Sequence, residues 1–129
     1  MAEGVFVTAI TCLDGRVQRP VSDWMLKTFV ADYVDTITEP GPDGLLAGNY
    51  LGPINSIRRR VEISVKAHGS RVVAVVAHHD CASNPGPKDL HLAQLQEAAG
   101  VVKSWRLPVR IVTLWVGENW RVEPIDENA

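Results

Sequence analysis

The sequence predicts an α/β fold: a mostly parallel central sheet in the order 2-1-3-4, with an antiparallel fifth strand and flanking helices. Three valine-rich apolar runs, residues 4–10, 71–77 and 109–116, have the length and composition of buried strands. Helix-length segments lie between the strands, and this alternation is typical of a parallel sheet with right-handed crossovers. The second run is apolar after its first residue, as expected for a strand that helices cover on both faces.

The first part of the chain is expected to form two strands and one helix. Residues 4–10 form the first strand, and residues 16–20 lead the chain away from it. Ser22 can cap a helix that continues to about Tyr33, and residues 33–38 form the second strand. The candidate inward positions of that helix are Trp24, Leu26, Phe29 and Val30.

The segment from residue 39 to about residue 53 is expected to be an irregular connection. Its cluster of glycine and proline, residues 39–44, interrupts regular structure. A connection of this length in a small domain is either a simple surface loop or a functional one, and the sequence does not separate these alternatives. Four apolar residues are candidates for a pocket wall or a subunit contact: Leu45, Leu46, Tyr50 and Leu51.

The remaining chain is expected to form two helices and three strands. Asn55 or Ser56 caps a helix that ends at Gly69, a residue type favoured just past a helix end. A second helix is expected from about Lys88 to Trp105. The expected inward positions of the two helices are Ile57, Val61 and Val65 in the first, and Leu92, Leu95, Ala99 and Val102 in the second. Strands are expected over residues 71–77, 109–116 and, antiparallel to its predecessor, 120–125.

Length and composition indicate one soluble globular domain that spans residues 1–129. A hydrophobic content of 46% and a charged content of 22% are typical of such proteins. A net charge of −2 argues against general nucleic-acid binding. No apolar run approaches the ~20 residues that a bilayer span requires. Because residues 1–4 lack the basic region of a signal peptide, we expect a cytoplasmic protein with reduced cysteines.

The chain's two cysteines both follow predicted central strands. Cys12 begins the motif Cys12-x-Asp14-x-Arg16 after the first strand, and Cys81 closes His78-x-x-Cys81 after the third. Ligands bind at the carboxyl ends of strands in open α/β sheets. If these two strands are neighbours, in the order 2-1-3-4-5, two sulfurs and one imidazole nitrogen converge. Zinc prefers this donor set, and three protein ligands leave a fourth position open for water.

Each of these residues also has a simpler interpretation. Cys12 and Cys81 can be small buried hydrophobes, or a thiol redox pair, although they lack C-x-x-C spacing. Asp14 and Arg16 can be a structural ion pair that supports a turn. The other histidines are assigned to solvent, to the surface and to a helix end: His79, His91 and His68.

The two motifs and the order of elements resemble those of the β-class carbonic anhydrases. The resemblance implies that Cys12, His78 and Cys81 are the zinc ligands of a single β-carbonic anhydrase-like domain. It implies that Asp14 and Arg16 form the carboxylate–guanidinium pair beside the metal, with Asp14 bound either to Arg16 or to the zinc. The sequence departs from the family pattern after Cys81, where residues 82–84 stand in place of the frequent pair of glycines.

The resemblance also implies a reaction and an assembly. The expected reaction is zinc-dependent hydration of carbon dioxide to bicarbonate, a lyase activity carried out by a metal-bound hydroxide. The alternatives are hydrolysis of carbonyl sulfide or carbon disulfide at the same site, or a non-catalytic zinc-binding protein. Because the family builds its pocket between subunits, a homodimer or higher homo-oligomer is expected, with neither nucleic acid nor membrane as a partner.

Overall fold

A computed structural model describes residues 2–128, which form five strands and four helices. The strands are β1 (Phe6–Cys12), β2 (Tyr33–Glu39), β3 (Val72–His78), β4 (Arg110–Val116) and β5 (Val122–Asn128). The helices are α1 (Gly15–Thr28), α2 (Pro42–Ala47), α3 (Leu51–His68) and α4 (Lys88–Ser104). Among the described residues, none of the helices combines the length and the apolar character that crossing a bilayer requires.

The strands form one sheet in the order β2-β1-β3-β4-β5. β1 pairs in parallel with β2 and with β3, β3 pairs in parallel with β4, and β5 runs antiparallel to β4. The predicted fold class and strand order are therefore confirmed. β1 and β3 are adjacent, so their carboxyl ends lie side by side at one edge of the sheet.

The sheet separates two apolar cores, and β3 contributes alternate residues to each. Val73, Val75 and Ala77 pack on the face covered by α2, α3 and α4. Val72 and Val76 pack on the opposite face, where α1 lies. All seven residues of β3 are buried, because successive side chains point to opposite faces and helices cover both.

The prediction for the first helix is wrong about where it begins. Asp14 rather than Ser22 is the N-cap, and its Oδ1 accepts a hydrogen bond from the Arg16 backbone N–H at 2.9 Å. The helix then continues through Pro20, which costs about 3 kcal/mol inside a helix. Three apolar side chains at four-residue spacing are buried on one face of the helix. Each stabilises the fold by about 1.5–3 kcal/mol, and together they offset that cost. These side chains are Val17, Val21 and Met25.

The interpretation of residues 39–53 as irregular is also wrong. Gly41 and Pro42, a pair that also signals a turn, instead start helix α2, since proline suits the first helical position. α3 begins at Leu51, before the expected caps. Leu46 is fully buried in the core, whereas Leu45 and Tyr50 line a cleft of about 490 Å³.

His91, expected on the surface, is fully buried. Its Nδ1 lies 2.6 Å from Oδ2 of Asp43, which is equally buried, so the pair links α4 to α2. Asp43 satisfies one of the two ring nitrogens, which lowers the cost of burying the imidazole, whereas Nε2 of His91 is buried without a hydrogen-bond partner among the described residues.

Candidate metal centre

Three potential metal ligands meet at the carboxyl edge of the sheet. Cys12 is the last residue of β1, His78 is the last residue of β3, and Cys81 follows in the next turn. One ligand atom from each lies within 4.8 Å of the other two, and all three side chains are buried. The convergence expected from the strand ends is therefore present in the fold.

The spacing of the two sulfurs suits a shared metal ion. The Sγ atoms of Cys12 and Cys81 are 4.0 Å apart, and both cysteines are free. A disulfide requires about 2.0 Å between the sulfurs. Two thiolates bound to tetrahedral zinc at about 2.3 Å each would be about 3.8 Å apart. The observed distance is close to the second value.

His78 belongs to the same cluster as the two sulfurs and has an unpaired ring nitrogen. Its Nδ1 donates a hydrogen bond to the backbone carbonyl of His79 at 2.7 Å. A carbonyl can only accept, so the proton lies on Nδ1 and the lone pair lies on Nε2. Nε2 is buried and has no hydrogen-bond partner among the residues that the structure describes. Leaving such an atom unsatisfied costs about 1–3 kcal/mol, and a metal ion would satisfy it.

The environment of Cys81 favours the neutral thiol in the absence of a cation. Burial, followed by the charge of the nearby Cys12 sulfur, raises the pKa of Cys81 to about 11. Backbone N–H groups of Ser83 and Asn84 oppose this shift but do not cancel it. A divalent cation would stabilise the thiolate and release the proton.

Gly41 allows the turn after β2 to approach Cys81. A Cβ at this position would lie 2.7 Å from the Asn84 Cβ and 3.6 Å from the Cys81 Sγ. The residue also has a left-handed backbone, with φ of +56°. Only glycine meets both conditions without strain. No local pattern in the sequence signals this role, because it depends on contact between distant segments.

Asp14, two residues after Cys12, is held by Arg16. Oδ1 accepts hydrogen bonds from the Arg16 backbone N–H at 2.9 Å and from Nε at 3.1 Å, and Oδ2 accepts from Nη2 at 2.7 Å. These bonds lower the pKa of Asp14 to about 2 and raise the pKa of Arg16. The carboxylate is therefore ionised at neutral pH and directed toward the guanidinium.

Two residues that sequence reasoning did not connect to Arg16 also bind its guanidinium. Nη1 lies 3.2 Å from Oδ2 of Asp80, and Nη2 donates to the Asp80 carbonyl at 3.2 Å. The Trp120 ring also contacts the guanidinium, with its centroid 4.3 Å from Cζ of Arg16. Asp80 could have been suspected from its place in the ligand turn, but no sequence spacing signals Trp120.

The remaining histidines lie away from the donor cluster. His79 is exposed, as expected, and its ring is 6.3 Å from that of Trp120. His68 lies at the end of α3, as expected, and its Nδ1 is 2.6 Å from Oδ2 of Asp35. Neither is grouped with the three potential ligands.

Comparison with known proteins identifies the family of this chain. A family model described as "putative carbonic anhydrase" matches residues 2–126. The fold is similar to that of the β-carbonic anhydrase CafA of Aspergillus fumigatus, with a TM-score of 0.52 and 15% identity, covering 93% of this chain and 74% of that one. It is also similar to a structure of two tetrameric β-carbonic anhydrases from Sordaria macrospora, with a TM-score of 0.54 and 11% identity, covering 99% and 84%. A search of curated proteins found no match.

Proposed function

The chain belongs to this carbonic anhydrase family, and from that premise we propose that it is a zinc enzyme that hydrates carbon dioxide to bicarbonate. The observation that carries the proposal is the buried cluster of Cys12, His78 and Cys81, in which Nε2 of His78 has no hydrogen-bond partner within residues 2–128. Two sulfurs and one imidazole nitrogen fit zinc, and three protein ligands are typical of a catalytic zinc site. We assign the activity to one domain spanning residues 1–129.

The ligands set the charge of the site. Zinc, when bound, supplies Lewis acidity that brings the pKa of water toward neutrality. Cys12 and Cys81 would hold it as thiolates, so that their two negative charges would balance the charge of the divalent cation. The hydrogen bond from His78 Nδ1 to the His79 carbonyl fixes the imidazole tautomer and would leave Nε2 to bind the metal.

We assign to Asp14 and Arg16 the role of positioning the hydroxide that attacks the substrate. Since the pKa of Asp14 is about 2, its carboxylate accepts hydrogen bonds and does not donate them at neutral pH. It can therefore take the proton of the attacking group into a hydrogen bond and aim a lone pair at the carbon of the substrate. Arg16 holds the carboxylate in place by two side-chain hydrogen bonds from Nε and Nη2.

The first experiment measures metal content and carbon dioxide hydration together. We expect one zinc ion per chain in the parent, with both zinc and activity lost in Cys12→Ser and His78→Ala. His79→Ala is the matched control, because this neighbouring histidine is exposed and should leave the zinc content unchanged. A parent protein without zinc would contradict the proposal at its first step.

The same protein should be assayed on carbonyl sulfide, because a hydrolase acting on this sulfur analogue would use the same ligands. Turnover of carbonyl sulfide alone would replace the proposed substrate and retain the metal site. One zinc per chain without turnover of either gas, from neutral to alkaline pH, would contradict the enzyme proposal and indicate a non-catalytic zinc protein.

We further propose a homodimer or higher homo-oligomer in the cytoplasm. The similar Sordaria macrospora enzymes are tetrameric, which supports assembly. A reducing compartment is supported by the need for two free thiols 4.0 Å apart, which an oxidising compartment would threaten. Light scattering that gives the mass of a single chain at micromolar concentration would contradict the assembly.

A further inference from the structure

The guanidinium of Arg16 contacts three side chains, which come from three separate parts of the chain. Asp14 binds it at the start of α1, Asp80 binds it from the turn between His78 and Cys81, and Trp120 stacks on it from the turn before β5. The Arg16 side chain is still 47% exposed, so its position depends on these contacts and not on burial.

The backbone at both newly identified partners is unusual. Asp80 and Trp120 each have a φ of +58°, in the left-handed region that residues other than glycine seldom occupy. In this conformation both residues direct their side chains to the same guanidinium. Asp80 uses its carboxylate and its carbonyl, while Trp120 uses the face of its ring.

Arg16 determines where Asp14 points, and Asp14 has two possible partners. One is the guanidinium that it binds in this structure. The other is a metal bound by Cys12, His78 and Cys81, since a carboxylate is a good zinc ligand. If the Arg16 guanidinium moved away, the Asp14 carboxylate would lose its side-chain donors Nε and Nη2 and keep only the backbone N–H of Arg16 on Oδ1. Oδ2 would then have no donor from Arg16 and could occupy the position that a substrate or water needs.

We propose that Asp80 and Trp120 are positioning residues that hold Arg16 against Asp14 and thereby keep the fourth coordination position of the metal free. The proposal rests on the proposed zinc site and adds two residues to its machinery. Neither needs to touch the metal or the substrate; each acts through Arg16 on Asp14.

The experiment uses the cobalt(II)-substituted protein, because its visible spectrum reports the ligands of the metal without any assay of activity. Thiocyanate is titrated into the parent, Asp80→Asn and Trp120→Leu. We expect thiocyanate binding to weaken by about two- to tenfold in each variant, as exposed ion pairs and cation–π contacts have modest strength. Trp120→Phe retains an aromatic face and should recover part of the affinity.

The sign of the Asp80→Asn effect separates the proposal from simple electrostatics. Removing a negative charge near the metal should by itself tighten the binding of an anion, whereas release of Asp14 should weaken it. Asp32→Asn, an equal charge change at an exposed position before β2, at the end of the sheet opposite Cys12 and His78, is the matched control and should have no effect. Asparagine tolerates the left-handed backbone of Asp80, so the variant should fold normally.

The decisive measurement repeats both substitutions in an Asp14→Asn background. If Asp80 and Trp120 act through Asp14, their effects on thiocyanate binding should disappear there, as in a double-mutant cycle between coupled residues. Unchanged or tighter binding in the two single variants would overturn the proposal, as would equal losses with and without Asp14. Failure of the parent to bind one cobalt per chain would instead refute the proposed metal site.

Discussion

Arg16 controls the proton affinity of Asp14, and that control makes stability depend on pH. The pKa of Asp14 falls from 3.8 to about 2 in the folded protein, chiefly through its hydrogen bonds with Arg16. The folded state thus favours the ionised carboxylate. Its stabilising contribution is complete above pH 4 and is lost as the pH falls toward 2.

Asp14→Asn should therefore be less stable than the parent above pH 4, with the difference shrinking toward zero between pH 4 and pH 2. Asparagine remains a good helix cap, so the change removes mainly the charge. The measurement is urea unfolding of metal-free, reduced protein across this range. Asp23→Asn, at an exposed position of α1, is the control for loss of one aspartate charge. A difference in stability between the parent and Asp14→Asn that stays constant with pH would refute the argument.

If the chain binds zinc as proposed, Cys81 makes that binding depend on pH in the neutral to alkaline range. Because its pKa is raised to about 11, the thiol carries a proton in the metal-free protein at neutral pH. Binding of zinc must release that proton, so zinc affinity should rise by about tenfold per pH unit for each proton released. Calorimetry in buffers of different ionisation enthalpy counts the protons. Release of fewer than one proton at pH 7 would show that Cys81 does not bind as a thiolate.

The sequence predicts the three potential metal ligands better than it predicts the residues that contact and position them. Cys12, His78 and Cys81 could be proposed because strand ends converge and because their chemistry is specific. The contacts of Arg16 with Asp80 and Trp120 depend on how turns from separate parts of the chain meet, and no local pattern encodes that. The same holds for Gly41. A side chain at this position would collide with Asn84 and contact Cys81, and these contacts exist only in the folded chain.

At the scale of elements, helices and strands with periodic burial were predicted correctly. Predictions failed where a residue is compatible both with a helix start and with a turn. The valine-rich strands and the buried stripe of α3 are placed correctly, because their apolar residues recur at the strand or helix period. The beginning of α1 and the whole of α2 were missed because Pro20 and Gly41-Pro42 also signal turns. In the folded chain, burial of Val17 or Leu46 outweighs those signals.

The link between α2 and α4 gives a prediction that belongs to this scale. Asp43→Ala leaves Nδ1 of His91 without its carboxylate partner in a fully buried position. We expect the free energy of unfolding to fall by about 1–3 kcal/mol, the cost of an unsatisfied buried polar group. Asp89→Ala, an exposed carboxylate in the first turn of α4, is the control for loss of an aspartate. Equal effects of the two substitutions in denaturant unfolding would show that the buried pair contributes nothing specific.

For the whole molecule, the proposed zinc ion joins elements that the chain order keeps apart. Cys12 ends β1 and His78 ends β3, and the chain forms α1, β2, α2 and α3 between these two strands. A ligand that binds only the folded state stabilises it in proportion to the logarithm of its free concentration. The metal should thus act on global unfolding and not only on the turn that carries Cys81.

We expect the free energy of unfolding to rise by about 1.4 kcal/mol for each tenfold increase in free zinc above its dissociation constant, the slope for one site per chain. The measurement is urea unfolding in zinc buffers under reducing conditions. Cys12→Ser should flatten this slope, because it removes the ligand from β1, and His79→Ala should retain it. A slope well below this value in the parent, with one zinc bound, would mean that the unfolded chain also holds the ion through its thiols. A parent slope of zero would mean that β1 and β3 are not joined by a metal at all.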